Sequence, residues 1–276
     1  MAEITAALVK ELREVTGAGM MACKKALAAV EGDMEKAIEH LREQGLAGAE
    51  KKAGRIAAEG VSFTKLSSDG KRGVVVEVNA ETDFVAKNEK FRTFVDEVAA
   101  QALDSNAKDI TAFLAEKWKL DPSKTVSEQL SATISLIGEN MHIRRFEKLE
   151  EPNGLVQDYV HSGGRIGVLL QVKSSVVNDA VKEMAKNVAM QIAALNPKYI
   201  TRAEVDQDYL KSEKEILLAA AKNEKPNAPE KVLLGIVEGR LNKELKEVCL
   251  VDQVYVRAED GKQTVGQYVE SKAGRC

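Results

Sequence analysis

The sequence predicts an α+β fold: an N-terminal three-helix bundle, two repeated subdomains of small antiparallel sheet and helices, and an antiparallel helical hairpin inserted in the second. Three observations predict it. Apolar residues recur at helical spacing, broken by glycines, through residues 5–45. Two apolar strand-like runs, residues 73–78 and 166–172, line up by pattern, each after a glycine-containing turn. Two helical stretches of similar length flank Lys225-Pro226-Asn227, as in an αα-hairpin.

Taken in order, Leu8, Val9, Leu12 and Val15 stripe a first helix with Thr5 as its N-cap. Thr16-Gly17-Ala18-Gly19 breaks it. Cys23, Leu27 and Val30 lie on a second helix that stops at Gly32. Asp33 caps a third, with Ile38 and Leu41 inward, expected to end near Gly45. Residues 1–47 thus form one module. Residues 48–58, rich in Gly, Ala and Lys, read as a linker or short helix with a solvated charged face.

Residues 59–150 read as the first sheet-and-helix subdomain. Residues 60–66 and 73–79 flank Ser67-Ser68-Asp69-Gly70-Lys71-Arg72, a hairpin turn centred on Asp-Gly. A helix capped by Asn88 carries Phe91, Phe94, Val95 and Val98. A second helical stretch is expected over residues 110–118. A third carries Val126, Leu130, Ile134 and Ile137, and residues 141–146 alternate as a closing strand.

The second subdomain, residues 151–196 and 244–276, repeats that plan. Residues 155–160 and 166–172 flank His161-Ser162-Gly163-Gly164-Arg165, and Asn178 caps a helix with Val181, Met184, Val188 and Ile192 inward. Residues 197–243 interrupt it as the hairpin, a coiled-coil or dimerisation element. Its stripe, including Ile216, Leu217, Leu233 and Val237, is expected to stay partly exposed. Residues 247–256 are expected to resume the sheet and residues 264–271 to form a short helix. Only Lys272-Ala273-Gly274-Arg275-Cys276 follow, so a closing strand, an expected counterpart of residues 141–146, is lacking. The second sheet should then have an open edge and less covered apolar side chains. Cys276 reads as exposed and without a role.

With 276 residues the chain has room for two or three domains with their own cores. A net charge of -3 with 30% charged residues gives a mixed surface and argues against direct nucleic-acid binding. No apolar run approaches the ~20 residues of a membrane span, and Met1-Ala2-Glu3 opens no signal peptide. Three cysteines, Cys23, Cys249 and Cys276, have neither metal spacing nor an even count, so a cytoplasmic protein without metal or cofactor is the simplest reading.

The chemistry concentrates on one corner. Val74-Val75-Val76 ends a buried strand, and Asp83 and Phe84 sit between it and the helix from Asn88. Connections of this kind lie on the surface. An aromatic beside a carboxylate there is either a lid over the protein's own core or a wedge aimed at a partner. No Gly-Lys-Ser/Thr loop is present to cradle phosphates, and Gly17-Ala18-Gly19 follows a helix rather than a strand. His40 reads as a solvated helix residue and His142 as a strand residue with a local hydrogen bond. His161, on a mobile and accessible hairpin tip, is open to either reading. Asp83 with His161 would make an acid–base pair, but no nucleophile in a supporting context accompanies them. An enzyme is not expected.

Glu77-Val78-Asn79-Ala80-Glu81-Thr82-Asp83-Phe84-Val85-Ala86-Lys87 resembles one of two signature segments of the bacterial translation elongation factor Ts family. Leu12-Arg13-Glu14-Val15-Thr16-Gly17-Ala18-Gly19-Met20-Met21-Ala22-Cys23-Lys24-Lys25-Ala26-Leu27 resembles the other. The likeness runs at lower density to about residue 272, and the family's last strand and C-terminal helical module have no counterpart. The resemblance implies an N-terminal module like the ubiquitin-associated fold. It also implies guanine-nucleotide exchange on elongation factor Tu, bound with GDP and nucleotide-free. Phe84, with Asp83 and flanked by Thr82 and Val85, would wedge into that partner and disturb its magnesium and phosphate site. Met20, Met21 and Lys24 would dock near the phosphate-loop side, and His161 would enter from the second hairpin. A passive scaffold for the same partner is the alternative, and self-association through the helical hairpin is a further expectation.

Overall fold

The computed structural model describes residues 4–273, so the reading of Cys276 lies outside the described residues. Helices and antiparallel strands mix as an α+β protein. The chain divides into two compact units, residues 1–150 with 160–167, and residues 151–159 with 168–276.

The first unit opens with α1 (Ala6–Thr16), α2 (Met20–Ala29) and α3 (Met34–Glu50). Thr5 and Asp33 cap α1 and α3 by accepting the amides of Leu8 and Lys36. Leu12, Cys23, Ala26, Leu27 and Ala37 are fully buried between the helices and form a core of their own. α3 does not stop at Gly45 but runs on to Glu50. Gly45 serves close packing rather than capping: a Cβ there would touch Ala132 and Ser135, both at 4.0 Å, on α7 (Val126–Ile137).

The unit's main sheet has the order β1-β2-β5, with β1 (Glu59–Leu66), β2 (Arg72–Ala80) and β5 (Met141–Glu150) all antiparallel. β1 and β2 are joined by the Asp69-Gly70 turn, where Ser67 N–H donates to the Arg72 carbonyl. Val74, Val76 and Val78 of the central strand are completely buried. They join Phe91, Phe94, Val95 and Val98 of α5 (Glu89–Asp104) in one core. The helical stretch expected over residues 110–118 ends early, as α6 (Ile110–Ala115). Lys117 and Trp118 instead form β3 (Lys117–Trp118), paired with β4 (Asp121–Thr125). Gln101 enforces the change: its amide donates to the Lys117 carbonyl and accepts the Lys119 N–H, both at 2.9 Å.

In the second half, β6 (Gly154–His161) and β7 (Ile166–Lys173) form a sheet of two strands among the described residues. Asn178 caps α8 (Asp179–Leu195) by accepting the Val181 amide. Then come α9 (Gln207–Glu224) and α10 (Glu230–Val248), joined around Pro226. The hairpin buries more of its stripe than expected. Leu233, Val237 and Leu241 are at most 5% exposed; Leu217 is half-buried, and Ile216 at 57% remains in water. Two facing helices thus cover most of the stripe themselves.

Residues 247–256 form no strand. α10 continues through Val248, and a 3-10 turn follows over Leu250–Asp252. Val254 bridges Thr264 as an isolated antiparallel pair, and the completely buried Gln191 bonds the segment's other backbone edge. Its amide donates to the Val254 carbonyl at 3.1 Å and accepts the Val256 N–H at 2.8 Å. One buried side-chain amide thus meets two backbone groups of the segment. α11 (Val265–Ala273) follows the segment.

Candidate functional site

Beyond Ala80 the chain leaves β2 and turns into α4 (Asp83–Lys87), so the segment carrying Asp83 and Phe84 is itself helical. Thr82 is its N-cap, its hydroxyl accepting the Val85 amide. Asn88 closes α4 and its side chain caps α5 by accepting the Lys90 N–H. Helical spacing sorts the side chains. Ala86 is buried and Val85 packs against the first unit's core, whereas Phe84 points outward with 81% of its surface exposed. Phe84 is therefore not a lid over its own core.

Lys87 holds the Asp83 carboxylate at 2.6 Å, one helical turn away. The lysine's hydrogen bond and charge keep the Asp83 carboxyl below the usual aspartate range. Beneath the corner lies a network that sequence reasoning missed. The Glu139 carboxylate accepts the Thr82 hydroxyl at 2.7 Å and the Thr82 N–H at 3.0 Å. Reciprocally, Glu81 accepts the Asn140 N–H at 2.5 Å, and the Asn140 amide donates to the Arg55 carbonyl at 2.7 Å. The partners lie 57 and 59 positions apart, and no local spacing signals such a pairing.

The other candidate residues stand elsewhere in the first unit. Met20 and Met21 open α2 and are 59% and 65% exposed. Lys24, one turn later, is exposed as well, while Cys23, Ala26 and Leu27 face the module's core. His161 is exposed at the end of β6. Its hairpin tip is less free than a mobile loop: the Gly164 carbonyl accepts the Ser62 N–H at 2.6 Å, and the Gly163 carbonyl accepts from Arg92 at 2.9 Å. His40 contacts Gln44, and His142 meets Asn140 at 3.1 Å. Among the described residues no cluster of His, Cys, Asp and Glu could hold a metal ion. No helix among them is long and apolar enough to cross a membrane.

These features define a class of protein: a mixed α+β chain that holds apolar side chains out in water, one of them on a braced corner. The family description Elongation factor TS matches residues 81–276. The chain is 52% identical over 270 residues to elongation factor Ts of Clostridium novyi, covering 98% of this chain and 87% of that relative. Elongation factor Ts of Clostridium perfringens is also 52% identical, and that of Clostridium botulinum strain Eklund 17B 50%, over the same shares. The chain belongs to the elongation factor Ts family of translation factors.

Proposed function

We propose that this chain is a guanine-nucleotide exchange factor that promotes GDP release from elongation factor Tu. Family membership supports the coarse role, and the exposure of Phe84 on a braced corner carries the finer one. An exchange factor works by linkage: it binds the nucleotide-free partner more tightly than the loaded one, so each ligand weakens the other by the same factor. Burying an exposed Phe side chain yields roughly 1.5–3 kcal/mol, free energy available to displace elements of the partner. Phe84 acts as the wedge, with Asp83 beside it and Thr82 and Val85 setting its direction. The displacement disturbs the magnesium and phosphate site, where the ion is the largest local charge. Met20 and Met21 suit a moving surface because the thioether side chain adapts to irregular pockets. Lys24 adds a positive charge beside them, and His161 makes a further contact from its anchored tip.

In this reading residues 1–47 are the ubiquitin-associated-like module, residues 48–58 its linker, and residues 59–150 one core subdomain. Residues 151–196 with 244–276 are the second, repeated one. The hairpin of residues 197–243 is a site for a second copy of the chain, supported by exposed Ile216, Val232 and Leu234.

The test is release of fluorescently labelled GDP from elongation factor Tu with and without this chain. Wild-type chain should speed release, and Phe84→Ala should slow the stimulated rate while changing folding stability by no more than about 0.5 kcal/mol, as for exposed positions. Loss of about 3–5 kcal/mol, the cost at a buried phenylalanine, would defeat the wedge. Tight binding without faster release would leave only a scaffold.

A further inference from the structure

The Glu139 carboxylate places two hydrogen bonds on a single residue, Thr82, from the loop between α7 and β5. Thr82 is also the N-cap whose hydroxyl accepts the Val85 amide, so one side chain fixes both the backbone and the hydroxyl that start α4. Phe84 sits two residues further on. A helix of only five residues cannot sustain itself in water, because nucleation consumes most of its hydrogen-bonding gain. Its direction must come from tertiary contacts. On its inner side Val85 and Ala86 supply packing, which resists lifting but sets the direction of the turn less sharply than directed bonds do. The directional contacts are those of Glu139 to Thr82, seconded by Glu81 to Asn140. Charge-assisted bonds of this kind are shorter and stronger than neutral ones.

We propose that Glu139 is a positioning residue for exchange: its carboxylate clamps Thr82 and so holds α4 with the Phe84 ring aimed outward, ready to enter the partner. The inference rests on the wedge reading of Phe84. An aromatic on an unclamped turn would fold back over nearby apolar surface or sample many directions. It would then have to be ordered during docking, at a cost in rate. Glu139 makes that order part of the free protein. Thr82 therefore matters through its hydroxyl and amide, although it need not touch the partner itself.

The test is a double-mutant cycle in the full chain, read by stimulated GDP release at saturating and sub-saturating concentrations. Glu139→Ala should lower the maximal rate about tenfold, the equivalent of ~1.4 kcal/mol and close to one charged hydrogen bond. The half-saturating concentration should change by less than about threefold, because the docking surface itself is intact. In a Phe84→Ala background the same substitution should have no further effect, since it acts only through that ring. Glu139→Gln, whose carbonyl still accepts the Thr82 N–H, should recover part of the rate; it also serves if the alanine variant folds poorly. Amide hydrogen exchange at Thr82 should speed up in Glu139→Ala and be partly restored in Glu139→Gln. Effects of Glu139→Ala and Phe84→Ala that simply multiply would overturn the proposal, as would an unchanged rate in Glu139→Ala. An unchanged rate in Phe84→Ala alone would instead overturn the wedge reading, and this inference with it.

Discussion

The two hairpin sheets begin alike and end differently. Gly60 in β1 and Gly154 in β6 occupy matching places, each lying against the strand that follows it. A Cβ on Gly60 would meet the Val78 carbonyl at 2.2 Å, and one on Gly154 the Val172 carbonyl at 2.0 Å. Asn88 and Asn178 then cap the covering helices in the same manner. Yet Val74, Val76 and Val78 are sealed from water, whereas Val168 is 7% exposed and Leu170 and Val172 are only half-buried. β2 has neighbours on both sides, and β7 pairs with β6 alone among the described residues. The aromatic residues divide as well. All six phenylalanines and the one tryptophan fall in the first unit, and all five tyrosines in the second. The first core is closed by phenylalanine rings and the Trp118 indole. The second stacks Tyr255 on Tyr268, with ring centroids 4.2 Å apart, and gives the Tyr268 hydroxyl a partner in Asn187. The same opening pattern thus supports two kinds of interior, one sealed by strands and one completed by polar side chains.

The largest expected effect tests that completion. Gln191→Leu keeps the volume roughly but leaves the backbone groups of Val254 and Val256 without their partner. The buried Gln253 side-chain oxygen also loses its Gln191 donor. One unsatisfied buried group costs about 1–3 kcal/mol, and with the two half-exposed backbone groups a loss of about 3 kcal/mol is expected in denaturant unfolding followed by tyrosine fluorescence. A loss below about 1 kcal/mol would mean that water replaces the amide readily and that the side chain does not hold the segment.

Gln191 also marks where sequence reading stops. The helices, the caps at Thr5, Asp33, Asn88 and Asn178, and both hairpins were legible because each rests on residues within a few positions of one another. Residues 247–256 look like a strand because Leu250, Val251, Val254 and Val256 are β-formers. The segment's backbone instead makes isolated bridges to Tyr199 and Thr264 and bonds to a glutamine some 63 positions away, which nothing local reveals. Trp118 misled for the same reason, since Gln101 decides its backbone from another helix. Gly45 carried a C-cap signal but lies where another helix approaches. At the corner, the residues placed Phe84 on a surface connection but left lid and wedge open; the five-residue helix that turns it outward, and the bonds of Glu139 and of Glu81 with Asn140, had no local signal.

A smaller effect sharpens the contrast between the strands. Val76→Ala removes buried methyl groups from a position with no room to relax. At ~0.8 kcal/mol per buried carbon plus a cavity term, it should cost about 2 kcal/mol. Val172→Ala, at a half-buried site, should cost about 1 kcal/mol or less. Matched chemical denaturation of the two variants measures the difference. Equal costs would mean that the second sheet is as tightly packed as the first despite its two strands.

The smallest effect concerns the helical hairpin, which has no counterpart in the first unit. The Tyr209 hydroxyl on α9 donates to the Glu244 carboxylate on α10, and this bond, with some burial, pushes the Tyr209 pKa from 10.0 up to about 12. The sign follows from linkage. A raised folded-state pKa means that the folded protein holds the phenolic proton more tightly than the unfolded chain does. The stabilisation is complete below about pH 10 and disappears as the pH rises through about 12. In that window phenolate would face carboxylate and push the two helices apart. Tyr209→Phe should lose the bond at neutral pH, a change of about 1 kcal/mol or less for a partly exposed contact, and flatten this part of the alkaline stability profile. Tyr255 is also raised to about 12, by its burial and its hydrogen bond with Tyr268, so wild-type tyrosine absorbance alone would mix the two. The difference between wild type and Tyr209→Phe isolates the hairpin. Trp118, buried in the first unit, supplies a signal from the other region in the same sample. An alkaline profile identical in the two proteins would show that Tyr209 contributes nothing to the pairing of the helices, which would then rest on buried residues such as Leu233, Val237 and Leu241 and on the Arg240–Glu224 and Lys214–Glu238 pairs.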